Sequence, residues 1–204
     1  MALPAQPTSQ GKVKISYEEF LQQLDEDTLA EWVDGEVVFL SPARLEHQLI
    51  ADFLTAVMGA FVSHQGTGQV ISAPFQMRLL QTERGREPDI LFVAKENLHR
   101  LRDTHLEGGA DLVVEITSPE SLIRDRGEKF AEYELEGIPE YWVIDPDAHR
   151  VDFFVLGEDG RYERRYEDSD GVYDSEVLKG FRIPVRWFWE RPSLQDALRW
   201  LGVV

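Results

Sequence analysis

The chain has 204 residues, 43% hydrophobic and 29% charged, with no cysteine, which excludes a disulfide framework, a thiolate zinc site and a cysteine nucleophile. Its length suits one domain with elaborations and is enough to bury a substantial core. The formal net charge of −17 repels phosphate and, taken alone, argues against a nucleic-acid partner, but residues 78–129 are nearly neutral, with nine Lys and Arg against eleven Asp and Glu.

Residues 1–15 read as a flexible lead-in, rich in Pro, Gln, Ser and Gly, and residues 16–204 as a single domain. The start lacks the apolar stretch of a signal peptide, and the apolar runs are shorter than the ~18 residues of a membrane span, so a cytoplasmic protein without a membrane partner is expected. Ser16 and Glu19 have the spacing of a capping box for a helix to about Thr28. Residues 29–41 then read as two strands joined by the turn dipeptide Asp34-Gly35. From Ala43 to about His64, the residues Leu45, Leu49, Phe53, Val57, Met58, Phe61 and Val62 recur at helical spacing. Strands follow at 69–73 and 75–80, then a polar turn at 81–87.

Residues 88–94 are bounded by proline and rich in β-branched and aromatic side chains, as in a strand; 95–107 read as a short helix and loop. Residues 110–117 form the clearest strand, apolar on both faces until Glu115, as a central strand should be. Asp125 and Glu128 have capping-box spacing for a helix through Tyr133, closed by Gly137. Residues 140–145 are a further buried strand; hairpin pieces at 150–156 and 161–166, an aromatic tail and a helix from Ser193 complete the chain. This order gives an α/β (α+β) fold: a central mixed sheet flanked by helices, with an N-terminal helix and hairpin and a C-terminal β appendage. The cluster Val185, Arg186, Trp187, Phe188 and Trp189, with Trp200, either covers one side of the sheet or serves as a homodimer surface.

Ionised residues inside apolar strands are informative because an unpaired buried carboxylate is costly. Asp89 opens one strand and Glu115 lies near the end of another. On neighbouring strands the two acids converge, and two carboxylates held together need a cation; oxygen donors favour Mg²⁺, Mn²⁺ or Ca²⁺ over zinc. Alternatively each acid sits in solvent or pairs with an Arg. Lys129, in the first turn of the helix after Glu115, brings a cation to the same sheet edge; its ordinary role would be an i,i+4 pair with Asp125.

Several pieces, in order, resemble the Uma-two family of restriction-endonuclease-like proteins in the PD-(D/E)XK nuclease superfamily. They are Glu31 to Glu36, Ser41-Pro42 with His47, Pro88-Asp89, Glu115 to Pro119, Arg124 to Lys129 with Tyr133, and Gly137 to Pro146. The resemblance covers roughly residues 16–190. It implies a nuclease-like core in which Asp89, Glu115 and the Ile116 carbonyl hold Mg²⁺ (or Mn²⁺). The superfamily's usual lysine, two residues after the second acid, is Thr117 here, and Lys129 would replace it from the helix. Glu46, His47, Glu31 and Asp125 are further candidates for the site, and Arg124 and Arg126 suit contact with substrate phosphate.

The activity implied is metal-assisted hydrolysis of phosphodiester bonds, most naturally in DNA. Thr117 and the net charge of −17 keep a second class open, a nuclease-fold binding or regulatory module with weak or no catalysis. Paired carboxylates also permit a glycosidase, but nothing in the sequence marks a sugar cleft.

Overall fold

The computed structural model describes residues 14–24, 28–119, 121–165 and 171–204; the expected lead-in lies almost wholly outside them. In chain order come α1 (Tyr17–Gln23), β1 (Ala30–Val33), β2 (Glu36–Phe39), α2 (Leu45–Gln65), β3 (Gly68–Ser72), β4 (Gln76–Leu79), β5 (Arg84–Arg86) and β6 (Ile90–Ala94). A 3₁₀ turn (Lys95–Arg100) leads to β7 (His105–Glu107), β8 (Leu112–Ile116), α3 (Leu122–Arg126), α4 (Glu128–Glu136), β9 (Glu140–Asp145), β10 (Arg150–Leu156) and β11 (Tyr162–Arg165). Last come β12 (Val172–Asp174), β13 (Arg182–Pro184), α5 (Trp187–Glu190) and α6 (Leu194–Trp200).

The central sheet runs β11-β10-β9-β8-β6-β3, with β8 and β9 parallel and the other neighbours antiparallel. Side chains alternate along each strand, and here both faces are covered. Ile90, Phe92, Val114, Ile116, Trp142 and Ile144 pack on one side with Leu54, Met58 and Phe61 of α2. Leu91, Val93, Val113, Tyr141 and Val143 pack on the other with Tyr133 of α4 and with Met77, Leu79 and Leu106 of a second sheet. That second sheet, ordered β2-β1-β5-β4-β7, carries the N-terminal hairpin, and α1 closes over it with Tyr17 and Phe20.

Most expected elements form. Ser16 Oγ accepts the Glu19 N–H at 3.1 Å while Glu19 Oε2 accepts the Ser16 N–H at 2.8 Å, the reciprocal capping box. Its helix stops at Gln23, however, well before Thr28. The stretch 81–87 is not a plain turn: β5 forms within it and ties β1 to β4. Residues 95–107 likewise contain a strand, β7, beside the 3₁₀ turn.

The Asp125–Glu128 capping box does not form. Two helices, α3 and α4, meet at Gly127, where a Cβ would lie 2.7 Å from the Ile123 carbonyl oxygen, so the joint admits little but glycine. Asp125 therefore sits inside α3 with its side chain buried. In α2, Leu45 and Leu49 are exposed, and the buried stripe starts at Ile50. By length and composition α2 could cross a membrane; here its apolar face is committed to the central sheet. The 150–165 hairpin extends the central sheet, so the separate β appendage is the β12–β13 pair. Val185, Trp187 and Phe188 of the aromatic tail are core, whereas Arg186 and Trp200 are exposed.

Candidate active site

Two strand ends set the site. Asp89 immediately precedes β6, and the register Ile90↔Val114 puts it beside Glu115 and Ile116 on β8. Asp89 Oδ2 accepts the Ile116 N–H at 2.6 Å, which locks one acid to the backbone next to the other. Glu115 shares a face with Val113 and so points toward α4. There Lys129 Nζ lies 2.9 Å from Glu115 Oε1, and the Tyr133 hydroxyl, one turn on, donates to the same oxygen at 2.7 Å. The spacing of four residues stacks Lys129 and Tyr133 on one helix face.

Lys129 is only 2% exposed, and its ammonium serves three acids. Besides Glu115 it lies 2.8 Å from Glu31 Oε1 and 3.5 Å from Asp125 Oδ1. The i,i+4 pair with Asp125 and the approach to Glu115 thus hold together. Glu31 comes from β1, fully buried behind Lys129, and its other oxygen accepts from Arg86 Nη1 at 2.8 Å. His47 of α2 reaches across to Asp89, with Nε2 3.1 Å from Oδ1.

Asp89, Glu115, Asp125, Lys129 and His47 open on a cleft of about 280 Å³, lined also by Glu87, Thr117, Phe39, Arg44, Glu46 and Arg124. Glu46 is tied at the rim to Arg191, at 2.6 and 3.2 Å. Arg124 lies within 4.0 Å of Glu31 and 3.8 Å of Asp125. Arg126 does not line the cleft: its Nη1 is 2.6 Å from buried Asp152 Oδ2 on β10, which turns it away from the position expected for a phosphate contact. Thr117 is buried at the cleft wall, its N–H donating to the Ile144 carbonyl at 2.7 Å.

Burial and charge act oppositely on these acids. Burial would raise the Glu31 carboxyl, but Lys129, Arg86 and Arg124 outweigh it and hold the group down at about 2. Glu115 is pushed well above the usual carboxylate range, because burial dominates and Asp125, Asp89 and Glu31 add to it against the pull of Lys129. Lys129 itself is raised: Glu115, Glu31 and Asp125 overcome the burial that would lower it. One ammonium cannot balance three carboxylates, and Glu115 bears the deficit. Burial also disfavours the charged His47, yet its bond to Asp89 raises it on balance.

Three participants escape the sequence reading. Glu87 lies two residues before Asp89 in the connection from β5 to β6 and lines the same cleft; it is buried there with Oε1 left without a hydrogen-bond partner and is pushed up to about 7, chiefly by burial. Arg86 belongs to β5, within the polar stretch 81–87 that has the composition of a turn. The bond from Tyr133 to Glu115 is visible only once α4 is placed.

The donors suit a hard divalent cation: carboxylates at Asp89 and Glu115, the Ile116 carbonyl, and a buried Asp125 Oδ1 that no hydrogen bond satisfies. Among the described residues no three His, Asp or Glu side chains form a ready-made cage. Mg²⁺ is commonly held by one or two carboxylates, with waters and substrate oxygens completing its shell.

A mixed sheet between helices, with acids at adjacent strand ends and a lysine delivered by the following helix, defines a restriction-endonuclease-like fold. The chain belongs to the Uma2 family, described as "Putative restriction endonuclease", whose model matches residues 17–186. Among solved structures it is similar to one titled a "putative nuclease belonging to DUF820" from Anabaena variabilis. That likeness has a TM-score of 0.68 at 17% identity and covers 92% of this chain and 99% of the other; it speaks to the fold. No curated protein matches.

Proposed function

We propose that the chain is a divalent-metal-dependent endonuclease that hydrolyses phosphodiester bonds in DNA. The observation that carries this is the convergence of Asp89, Glu115 and Lys129 at one cleft, with the ammonium 2.9 Å from Glu115 despite Thr117 at the usual lysine position. Asp89, Glu115 and the Ile116 carbonyl would hold Mg²⁺ or Mn²⁺, which when bound supplies a water acidified for attack and charge neutralisation at the phosphate. Lys129, kept protonated by its acidic neighbours, donates to a non-bridging phosphate oxygen and stabilises the charge that grows there. Tyr133 and the backbone of Ile116 fix the two acids, so neither reorients as the substrate enters. Arg124, at the cleft wall, steadies a flanking phosphate.

Supercoiled plasmid and a single-stranded oligonucleotide, incubated with Mg²⁺ or Mn²⁺ and with EDTA, test this. Cleavage that needs the metal is expected. A folded protein that binds neither ion and cuts neither substrate would refute it and favour a binding module built on the same fold.

A further inference from the structure

We infer that the mouth of the cleft takes an unstacked, single-stranded segment of DNA, with Phe39 stacking on a base and Arg44 and Arg124 holding phosphates beside it. The inference rests on the nuclease reading and names the strand state that this site accepts.

Phe39 is the last residue of β2; it lines the cleft and is 73% exposed. A phenyl ring left in water adds nothing to the core, and at a nucleic-acid site it offers a face to any base, since every base has a π surface. The residues that follow it along the rim, Ser41-Pro42-Ala43, are exposed, uncharged and small. They leave the ring approachable and put no acid against a phosphate.

The cations are few and placed within the cleft. Arg44 meets Asp147 at 3.3 Å, but both side chains are more than half exposed, and such a pair is weak and easily exchanged for phosphate. Glu46, the other acid at the mouth, is neutralised by Arg191. On α3, Arg124 follows Ile123, which is 86% exposed, so an apolar side chain again accompanies a guanidinium. A duplex-tracking enzyme commits many Lys and Arg to the phosphates of two strands, which a chain of net charge −17 does not offer. An aromatic face with a few guanidiniums is instead the chemistry of single-strand binding.

The test is fluorescence anisotropy with a labelled single-stranded DNA and the duplex of the same sequence, in Ca²⁺ and again in EDTA. Single-stranded DNA should bind more tightly than duplex. Phe39→Ala should weaken single-strand binding by about 5- to 150-fold, the value of one base–aromatic stack, and Phe39→Trp should restore it. Because Phe39 is exposed, neither variant removes core packing. Duplex binding equal to or tighter than single strand, or a Phe39→Ala affinity within twofold of wild type, overturns the inference. If metal-dependent cleavage persists alongside that result, the nuclease reading survives; if neither strand form binds and nothing is cut, both fall.

Discussion

Replacing Arg86 with Met should be among the most damaging single changes in the protein, although Arg86 touches no substrate. Its guanidinium is 1% exposed and spans two acids: Nε and Nη2 donate to Glu132 at 2.7 and 2.6 Å, and Nη1 donates to Glu31 at 2.8 Å. Both acids are buried, so Met takes the bidentate partner from Glu132, which keeps Arg84, and one of two close cations from Glu31, which keeps Lys129. Removing one member of such a pair costs about 3–5 kcal/mol, far more than the net worth of the pair against an apolar replacement. For a chain of this size each kcal/mol lowers Tm by roughly 2–4 °C, so a fall of about 6–20 °C is expected. Thermal unfolding followed by circular dichroism measures it. Glu132→Gln in the same background should recover part of the loss, because the network members are coupled by up to ~3 kcal/mol. A fall of less than about 2 °C for Arg86→Met would refute the reasoning, since the two acids would then have found other compensation.

The ionised Glu115 and Glu87 are disfavoured by the fold, so metal-free stability should decline as pH rises from 4.5 through 7; Glu87→Gln should flatten that fall, by on the order of 3 kcal/mol, as read from denaturant unfolding across that range. Glu31 acts the other way: held at about 2, its contribution is present above pH 4.5 and disappears only as pH falls through 2, which acid unfolding of Glu31→Gln beside wild type would show. Lys129→Met removes the ammonium that competes for Glu115, so it should bind Mn²⁺ at least as tightly as wild type by calorimetry while losing 100-fold or more in turnover, on the order of the value of one transition-state donor. Gly85→Ala would bring a Cβ to 2.5 Å from the Tyr17 ring and 3.3 Å from Trp32, and should cost about 1–3 kcal/mol in unfolding by urea.

The central strands were legible because burial on both faces writes a continuous apolar run, as in β8 and β9, which a lone acid such as Glu115 then interrupts. Asp89, Glu115 and Lys129 could be picked out together for that reason and because short connections keep strand ends and the next helix at one sheet edge. The stretch 81–87 hid β5, because its Arg and Glu are polar in sequence yet satisfy one another inside the protein; a buried ion network leaves no apolar period to detect. The same gap concealed Arg86 and the bond between Arg86 and Glu31. Asp125 offered correct cap spacing, but the glycine at 127 broke the helix after it and turned its carboxylate toward Lys129. Arg126 misled for a related reason: which way it turns was decided by Asp152 on β10, distant in sequence.

The most direct test of the account is the rate at which Asp89→Ala cleaves DNA beside wild type under Mg²⁺ or Mn²⁺, with folding of both confirmed by circular dichroism. Wild type should cleave in a way that EDTA stops, and Asp89→Ala should lose both that cleavage and metal binding. Metal-dependent cleavage that survives in Asp89→Ala would place the hydrolytic centre elsewhere and contradict it.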